Sequence, residues 1–458
     1  MPRIEKNQLL ATRGPAIGMI AVLLGLVMIG CNSRRHEDRV ESDPVPSVVT
    51  ADIQAGIEKH IEDQARLGDG YFQLPYEGKV LRLKLVRIHT EYLANLGPRQ
   101  HFACIDLAEE GGDVYDVDFF LSGDPGSMTV TETIPHKING KPFYFWKQNE
   151  DKTWGRVPVT DAARELMGVI LPDDAFEFRY ALTLPELTGP SRLWLPLPIT
   201  DAFQTVKVGT IDAPAKHRVL EEATHGNKVL FWELDSSHSG KTIDIRYNVQ
   251  RIEKSAYADD SGDVSKYLLA ERLVPDDKSF NDIAQDVVEG KKGDLVRARA
   301  LYDHVIERMR YIKYGDGWGK GDAVYACNAR TGNCTDYHAY FIGLARAVGI
   351  PARFAIGAAV PSERDEGGVD GYHCWVEFHA EGKWWPVDIS EADKYSALSS
   401  YYFGHHPANR LEFSRGRDLV VEPGPKSGPM NFLAYPVLEI EGKPAKAAVQ
   451  FSFRREKD

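Results

Sequence analysis

The chain has 458 residues and a formal net charge of −12. That length calls for several domains, and an acidic balance with no basic stripe to offset it excludes a nucleic-acid partner. Five cysteines are too few to staple a chain of this size, so hydrophobic cores must hold the fold.

At the N-terminus, Arg3, Lys6 and Arg13 precede an apolar run from Ala16 to Gly30 that is too short to span a bilayer comfortably. The run ends in Val27-Met-Ile-Gly-Cys31 and resembles a bacterial lipoprotein signal. That resemblance implies cleavage after Gly30, a lipid on Cys31, a membrane partner through that lipid, and export to the cell envelope. Met28 departs from the leucine usual at its position, and an uncleaved membrane anchor is the alternative. Residues 1–30 are therefore expected to be a signal peptide and residues 31–50 a polar tether. No later segment is apolar enough to cross a membrane.

Beyond the tether, Ile53, Ile57, Ile61 and Leu67 share one helical face that ends at Gly68. Strand-like runs follow at Val80 to Ile88, Gln100 to Leu107, Val114 to Leu121 and Ser127 to Ile138. This pattern predicts a small α+β domain over residues 51–155, to which no chemistry attaches. Next, Phe176, Phe178, Tyr180, Leu182 and Leu184 alternate, as do Ile243, Ile245, Tyr247 and Val249. Short strands between Pro, Gly and Asp punctuation predict an antiparallel β-sandwich over residues 173–256.

Chemistry enters with Thr331-Gly-Asn-Cys-Thr-Asp-Tyr-His338. Asn333 is a good N-cap and Asp336 its capping-box partner. Tyr337, Phe341, Leu344, Ala345 and Val348 recur at helical spacing until Gly349 and Pro351 stop the helix. Cys334 thus sits in a first helical turn, where unpaired N–H groups and the macrodipole favour a thiolate. A hairpin follows: Tyr372-His-Cys-Trp-Val-Glu-Phe-His379 alternates like a strand, Glu381-Gly-Lys383 turns, and Trp384-Trp-Pro-Val-Asp388 returns. The hairpin can set His373 beside Asp388, leaving one imidazole nitrogen for Cys334.

These segments resemble the transglutaminase-like superfamily, whose catalytic domain shares a papain-type thiol-enzyme architecture. The resemblance rests on G-N-C-x-D with its G-I-P-A-R tail, on G-Y-H-C-W-V-E and on W-x-P-V-D-I-S. It covers residues 262–423 and implies an α+β core in which the Cys-bearing helix packs on an antiparallel sheet. It also implies Cys334 as nucleophile, His373 as base and Asp388 as orienting acid, with Trp318 as an oxyanion-holding candidate. His338 and His379 are rival bases. Cys374 alternates with His373, which predicts a packing role on the opposite face of the strand. A disulfide from Cys334 to Cys327 or Cys374 would switch such an enzyme off.

No C-x-x-C or H-x-x-x-H spacing suggests a metal, no calcium loop is present, and no cofactor is expected. Gly315-Asp-Gly-Trp-Gly-Lys-Gly321 lacks the Ser or Thr of a phosphate loop and predicts a flexible loop beside the cleft. Residues 424–458 are expected to form a strand-rich tail. The expected activity is acyl transfer through a thioester on a peptide, protein or cell-wall substrate, with hydrolysis favoured over crosslinking. The alternative is a non-catalytic envelope module that holds a peptide or glycan in the same groove.

Overall fold

The structure, a computed structural model, describes residues 48–455 apart from 91–92, 98, 149–153, 159–170, 260–261, 314–315, 363 and 395–397. The signal peptide, Cys31 and nearly all of the tether lie outside the described residues. Residues 46–458 form one compact unit. Among the described residues, no helix is long and apolar enough to cross a membrane.

The first helix, Thr50–Leu67, buries Ile53, Ile57 and Ile61. Leu67, expected on the same face, is exposed because the chain turns away at Gly68. The helix covers one face of an antiparallel meander whose strands include Lys79–Ile88, Gln100–Glu109, Val114–Ser122 and Thr129–Ile138. Ile105, Leu107, Val117 and Phe119 point to it. The alternate positions Cys104, Asp106, Asp116 and Asp118 face the other way and are also buried. On that side Arg299 of the helix Asp294–Arg308 reaches Asp106 at 2.7 Å, tying the domain to the rest of the chain.

The β-sandwich is assembled from distant parts of the chain. One sheet runs in the order Gln204–Asp212, Thr242–Ile252, Asp173–Thr183, Ala448–Arg455, Glu366–Val369. The other runs His217–Glu222, Asn227–Leu234, Ser191–Leu197, Val437–Ile440, Lys443–Ala445. The segment expected as a tail is therefore built into both sheets. Without it, Asp173–Thr183 would be an open edge carrying Phe176, Phe178, Tyr180 and Leu182. Instead Phe451 packs on Phe178 at 5.6 Å and on Tyr180 at 4.8 Å between ring centroids. The sandwich is interrupted by the region that carries Cys334 rather than finished before it.

That region sets the helices Lys278–Val288, Asp294–Arg308 and Ala323–Ala329 on one side of the helix Cys334–Ala347. On its other side lies an antiparallel sheet ordered Lys383–Val387, His373–Ala380, Ala352–Ala359, Arg410–Arg415. Packed from both sides, the helix is buried at every position from Cys334 to Ala345. The sheet's hairpin turns at Glu381 and Gly382, both at positive φ (53° and 75°), as a two-residue primed turn requires. Gly357 lets neighbouring strands close up, since a Cβ there would lie 1.8 Å from the Leu411 carbonyl oxygen.

Candidate active site

Cys334 is the first residue of its helix. Asn333 Oδ1 accepts the Thr335 N–H at 3.0 Å, and Asp336 Oδ2 accepts the Asn333 N–H at 2.9 Å, closing the capping box. Asp336 does more than cap. Its carboxylate also accepts N–H groups of Gly319 (2.7 Å) and Gly321 (3.1 Å), so this end of the glycine-rich segment is pinned beside the thiol. Gly332 leaves the room this needs, because a Cβ there would meet Asp336 Oδ2 at 2.4 Å.

His373 opens its strand and presents Nε2 to Asp388 Oδ2 at 2.6 Å. The pairing Val376–Val387 makes Asp388 the approximate opposite of Trp375, so His373 reaches it on the diagonal. Asp388 is clamped further by Arg410 (2.7 Å), the Ser390 hydroxyl (3.0 Å) and the Glu391 N–H (3.1 Å). Burial alone would raise its pKa, yet His373 and Arg410 hold it well below the usual carboxylate range. Nδ1 of His373 is left for the Cys334 sulfur, with which the imidazole is hydrogen-bonded.

The two groups favour a thiolate–imidazolium pair. Burial would lower the His373 pKa, but the charge and hydrogen bond of Asp388, with the Cys334 sulfur, raise it to about 9. A hydrogen bond from Cys374 lowers the Cys334 pKa; burial opposes it, while the hydrogen bond and charge of His373 add to it, leaving the thiol well below its ordinary value. Such a pair titrates as a unit.

The structure therefore brings Cys334, His373 and Asp388 together. Trp318 is half-buried with the Lys313 ammonium 6.0 Å over its ring, and among the described residues no hydrogen bond or ring contact joins it to Cys334. Nearer the thiol are two tyrosines. Tyr311 hydrogen-bonds the Cys334 backbone, and the Tyr372 hydroxyl accepts from Asn333 Nδ2 at 2.9 Å. Tyr311 stands outside the motifs, and Tyr372, though inside G-Y-H-C-W-V-E, has no role assigned from sequence because the chemistry of that motif falls to His373.

His338 is fully buried. Its Nε2 accepts the Ile389 N–H at 3.1 Å, and burial lowers its pKa to about 4, so it stays neutral beside the thiolate. His379 packs on Trp384 at 5.2 Å, away from the triad. Cys374, expected on the far face, hydrogen-bonds both Cys334 and His338. Strand alternation does hold, with His373 on the Trp375 side (6.2 Å), but the thiol lies at the strand's first residues and is reached from both faces. Cys327 lies elsewhere, beside Tyr340.

The remaining motif residues are architectural. Arg353, at the end of the G-I-P-A-R segment, bonds Glu377, at the end of G-Y-H-C-W-V-E, at 2.8 Å; Lys254 pairs with the same carboxylate.

One other region gathers potential metal ligands. Ligand atoms of His89, Cys104 and Asp116, and of Cys104, Asp118 and His136, each lie within 4.8 Å of one another. Here Lys137 already pairs with Asp116 (2.8 Å), Arg299 with Asp106 (2.7 Å), and the Tyr144 hydroxyl with Asp118 (2.6 Å), so cations and hydroxyls of the protein serve the carboxylates.

This thiol-first helix on an antiparallel sheet is the architecture of a papain-type thiol-enzyme core. Residues 281–389 match the family model of the transglutaminase-like superfamily, so the chain carries a transglutaminase-like core. It is similar to an uncharacterized protein of Haemophilus influenzae, 26% identical over 317 residues that span 59% of this chain and 86% of that one. Solved structures with a likeness in fold include a proposed cysteine protease from Cytophaga hutchinsonii (15% identity, TM-score 0.43, 62% of this chain and 92% of that one). The periplasmic domain of TgpA from Pseudomonas aeruginosa is another (16% identity, TM-score 0.27, 51% of this chain and 95% of that domain).

Proposed function

We propose that the protein is a thiol acyl-transfer enzyme that acts on a peptide or carboxamide bond through a Cys334 thioester, as a peptidase or amidase rather than a crosslinker. The observation that carries this reading is the buried His373–Asp388 bond of 2.6 Å beside a thiol held at a helix N-terminus. Cys334 attacks the carbonyl carbon. Asn333 takes the Thr335 N–H, so the first-turn donor for the developing oxyanion is the Cys334 N–H, exchanging the Tyr311 hydroxyl for the oxyanion. The His373 imidazolium then protonates the departing amine. Water, deprotonated by the same imidazole, releases the acyl group and restores the thiol.

Hydrolysis is favoured because the N-terminal signal pattern ending at Cys31 supports a place in the bacterial envelope, where the enzyme would meet water and peptides. Loss of labelling by a palmitate analogue in Cys31→Ala tests that placement. A screen of peptides and cell-wall fragments, with and without a primary amine, tests the reaction. Release of free carboxylate that disappears in Cys334→Ala supports a hydrolase. Amine incorporation in its place contradicts hydrolysis, and binding without turnover returns the reading to a non-catalytic module.

A further inference from the structure

The triad leaves two buried groups beside the nucleophile without a task. Cys374 and His338 are fully buried and lie 3.4 Å apart, Sγ to Nδ1. The Ile389 N–H donates to His338 Nε2 at 3.1 Å, which makes that nitrogen an acceptor and puts the ring proton on Nδ1. Nδ1–H can then only donate, and it is shared between the Cys374 sulfur at 3.4 Å and the Cys334 carbonyl one helical turn back. Cys334 lies one turn before His338 on the same helix face, so the Cys374 sulfur that His338 touches sits beside the nucleophile, and its proton is left to point that way.

We propose that His338 and Cys374 form a positioning relay, Ile389 N–H to His338 to Cys374 to Cys334, that donates a hydrogen bond into the nucleophile and holds it as a thiolate. The inference rests on the thiol-enzyme reading above and adds a second arm to it. Both arms start from adjacent residues: the Asp388 carboxylate orients the charged imidazole of His373, and the Ile389 N–H orients the neutral imidazole of His338. No proton need leave the relay during turnover. Its effect is electrostatic, since a donor aimed at a buried anion stabilises the charged form. The direction of the titrations agrees: the Cys374 thiol is pushed well above its ordinary value by burial and by the neighbouring Cys334, so it keeps its proton where Cys334 has lost its own.

The test needs no substrate. Pre-reduced protein is pulsed with iodoacetamide across pH, and Cys334 is followed by mass spectrometry on the tryptic peptide Thr331 to Arg346, which separates it from Cys374. Cys374→Ala should move the midpoint of Cys334 alkylation up by about 1 to 2 pH units, the worth of one hydrogen bond to a charged group. Cys374→Ser, which restores a donor, should bring the midpoint back towards wild type. A purely packing role predicts the reverse order of damage, because Ala suits an apolar slot better than Ser. His338→Phe, which keeps the ring and loses both nitrogens, should give a smaller upward shift. An unchanged midpoint in a folded Cys374→Ala protein overturns the relay while leaving the enzyme reading standing. An ordinary thiol profile in the wild type would instead sink the enzyme reading itself.

Discussion

Two clusters in this molecule hold the same ingredients, a buried Cys with His and Asp around it, and the structure gives their thiols opposite protonation. Around Cys334 the pKa falls well below the ordinary thiol value. Around Cys104, burial and then the charges of Asp116, Asp118 and Asp106 push it well above. What separates them is placement. Cys334 begins a helix and faces an imidazole that Asp388 keeps charged. Cys104 lies mid-strand, paired across the sheet with Asp118 and two residues from Asp106, so carboxylates meet it on the strand face. Residue types propose a site; the electrostatic surroundings decide whether it is a nucleophile or a polar core.

The largest expected contrast comes from removing each thiol. Cys334→Ala should abolish turnover with the circular-dichroism spectrum unchanged, because the change loses little packing. Cys104→Ala should leave turnover intact. Residual turnover in the first, or its loss in a folded second, would break the comparison.

Asp388→Asn comes next. It keeps the shape of the site but misorients the imidazole, with an expected loss of about 10²–10⁴-fold in kcat by analogy with other triads. It lowers stability too, because buried Arg410 loses its 2.7 Å carboxylate. Undiminished activity would remove the role assigned to Asp388.

In the other cluster the effect should fall on stability. Asp106→Asn removes the 2.7 Å partner of buried Arg299, which keeps Asp303 at 3.0 Å, and should cost about 1.5–3 kcal/mol in urea unfolding. The pH profile of Cys334 alkylation should not move. A shift in that profile without loss of stability would mean that the two clusters are coupled.

The smallest effect is in pH. His373 has its folded pKa raised to about 9, above the ordinary value of about 6.5. Its contribution to stability is therefore complete below pH 6.5 and fades as pH rises through about 9. In the wild type this fall is offset, because folded Cys334 has already lost the proton that the unfolded thiol still holds. The window is therefore read in the Cys334→Ala background, where stability should fall more steeply above pH 6.5 than in the Cys334→Ala/His373→Ala double variant, as read by urea titration. Parallel curves would contradict the raised value.

Much of the catalytic region was legible in the sequence, since capping, helical period and the Glu381-Gly382 turn are local signals. Asn333, Asp336 and the hairpin sufficed to bring Cys334, His373 and Asp388 together. The second arm was not legible. His338 and Cys374 meet only because the helix is packed on both sides and its N-terminus overhangs the start of a strand. The return of Ala448–Arg455 into the sandwich was hidden for the same reason: it satisfies an edge that local pattern cannot show to be open. Trp318 was chosen by analogy of position, and the structure records its contact with Lys313 instead.

The central claim is that the Cys374 hydrogen bond and the charged His373 together hold Cys334 as a thiolate. Its most direct test is an ultraviolet titration of wild type minus Cys334→Ala, repeated in the His373→Ala background. The account predicts a thiolate difference band already present at pH 6 in the wild type and shifted in His373→Ala towards the ordinary thiol pKa of about 8.5. A band that appears only near that pH in both backgrounds would contradict it.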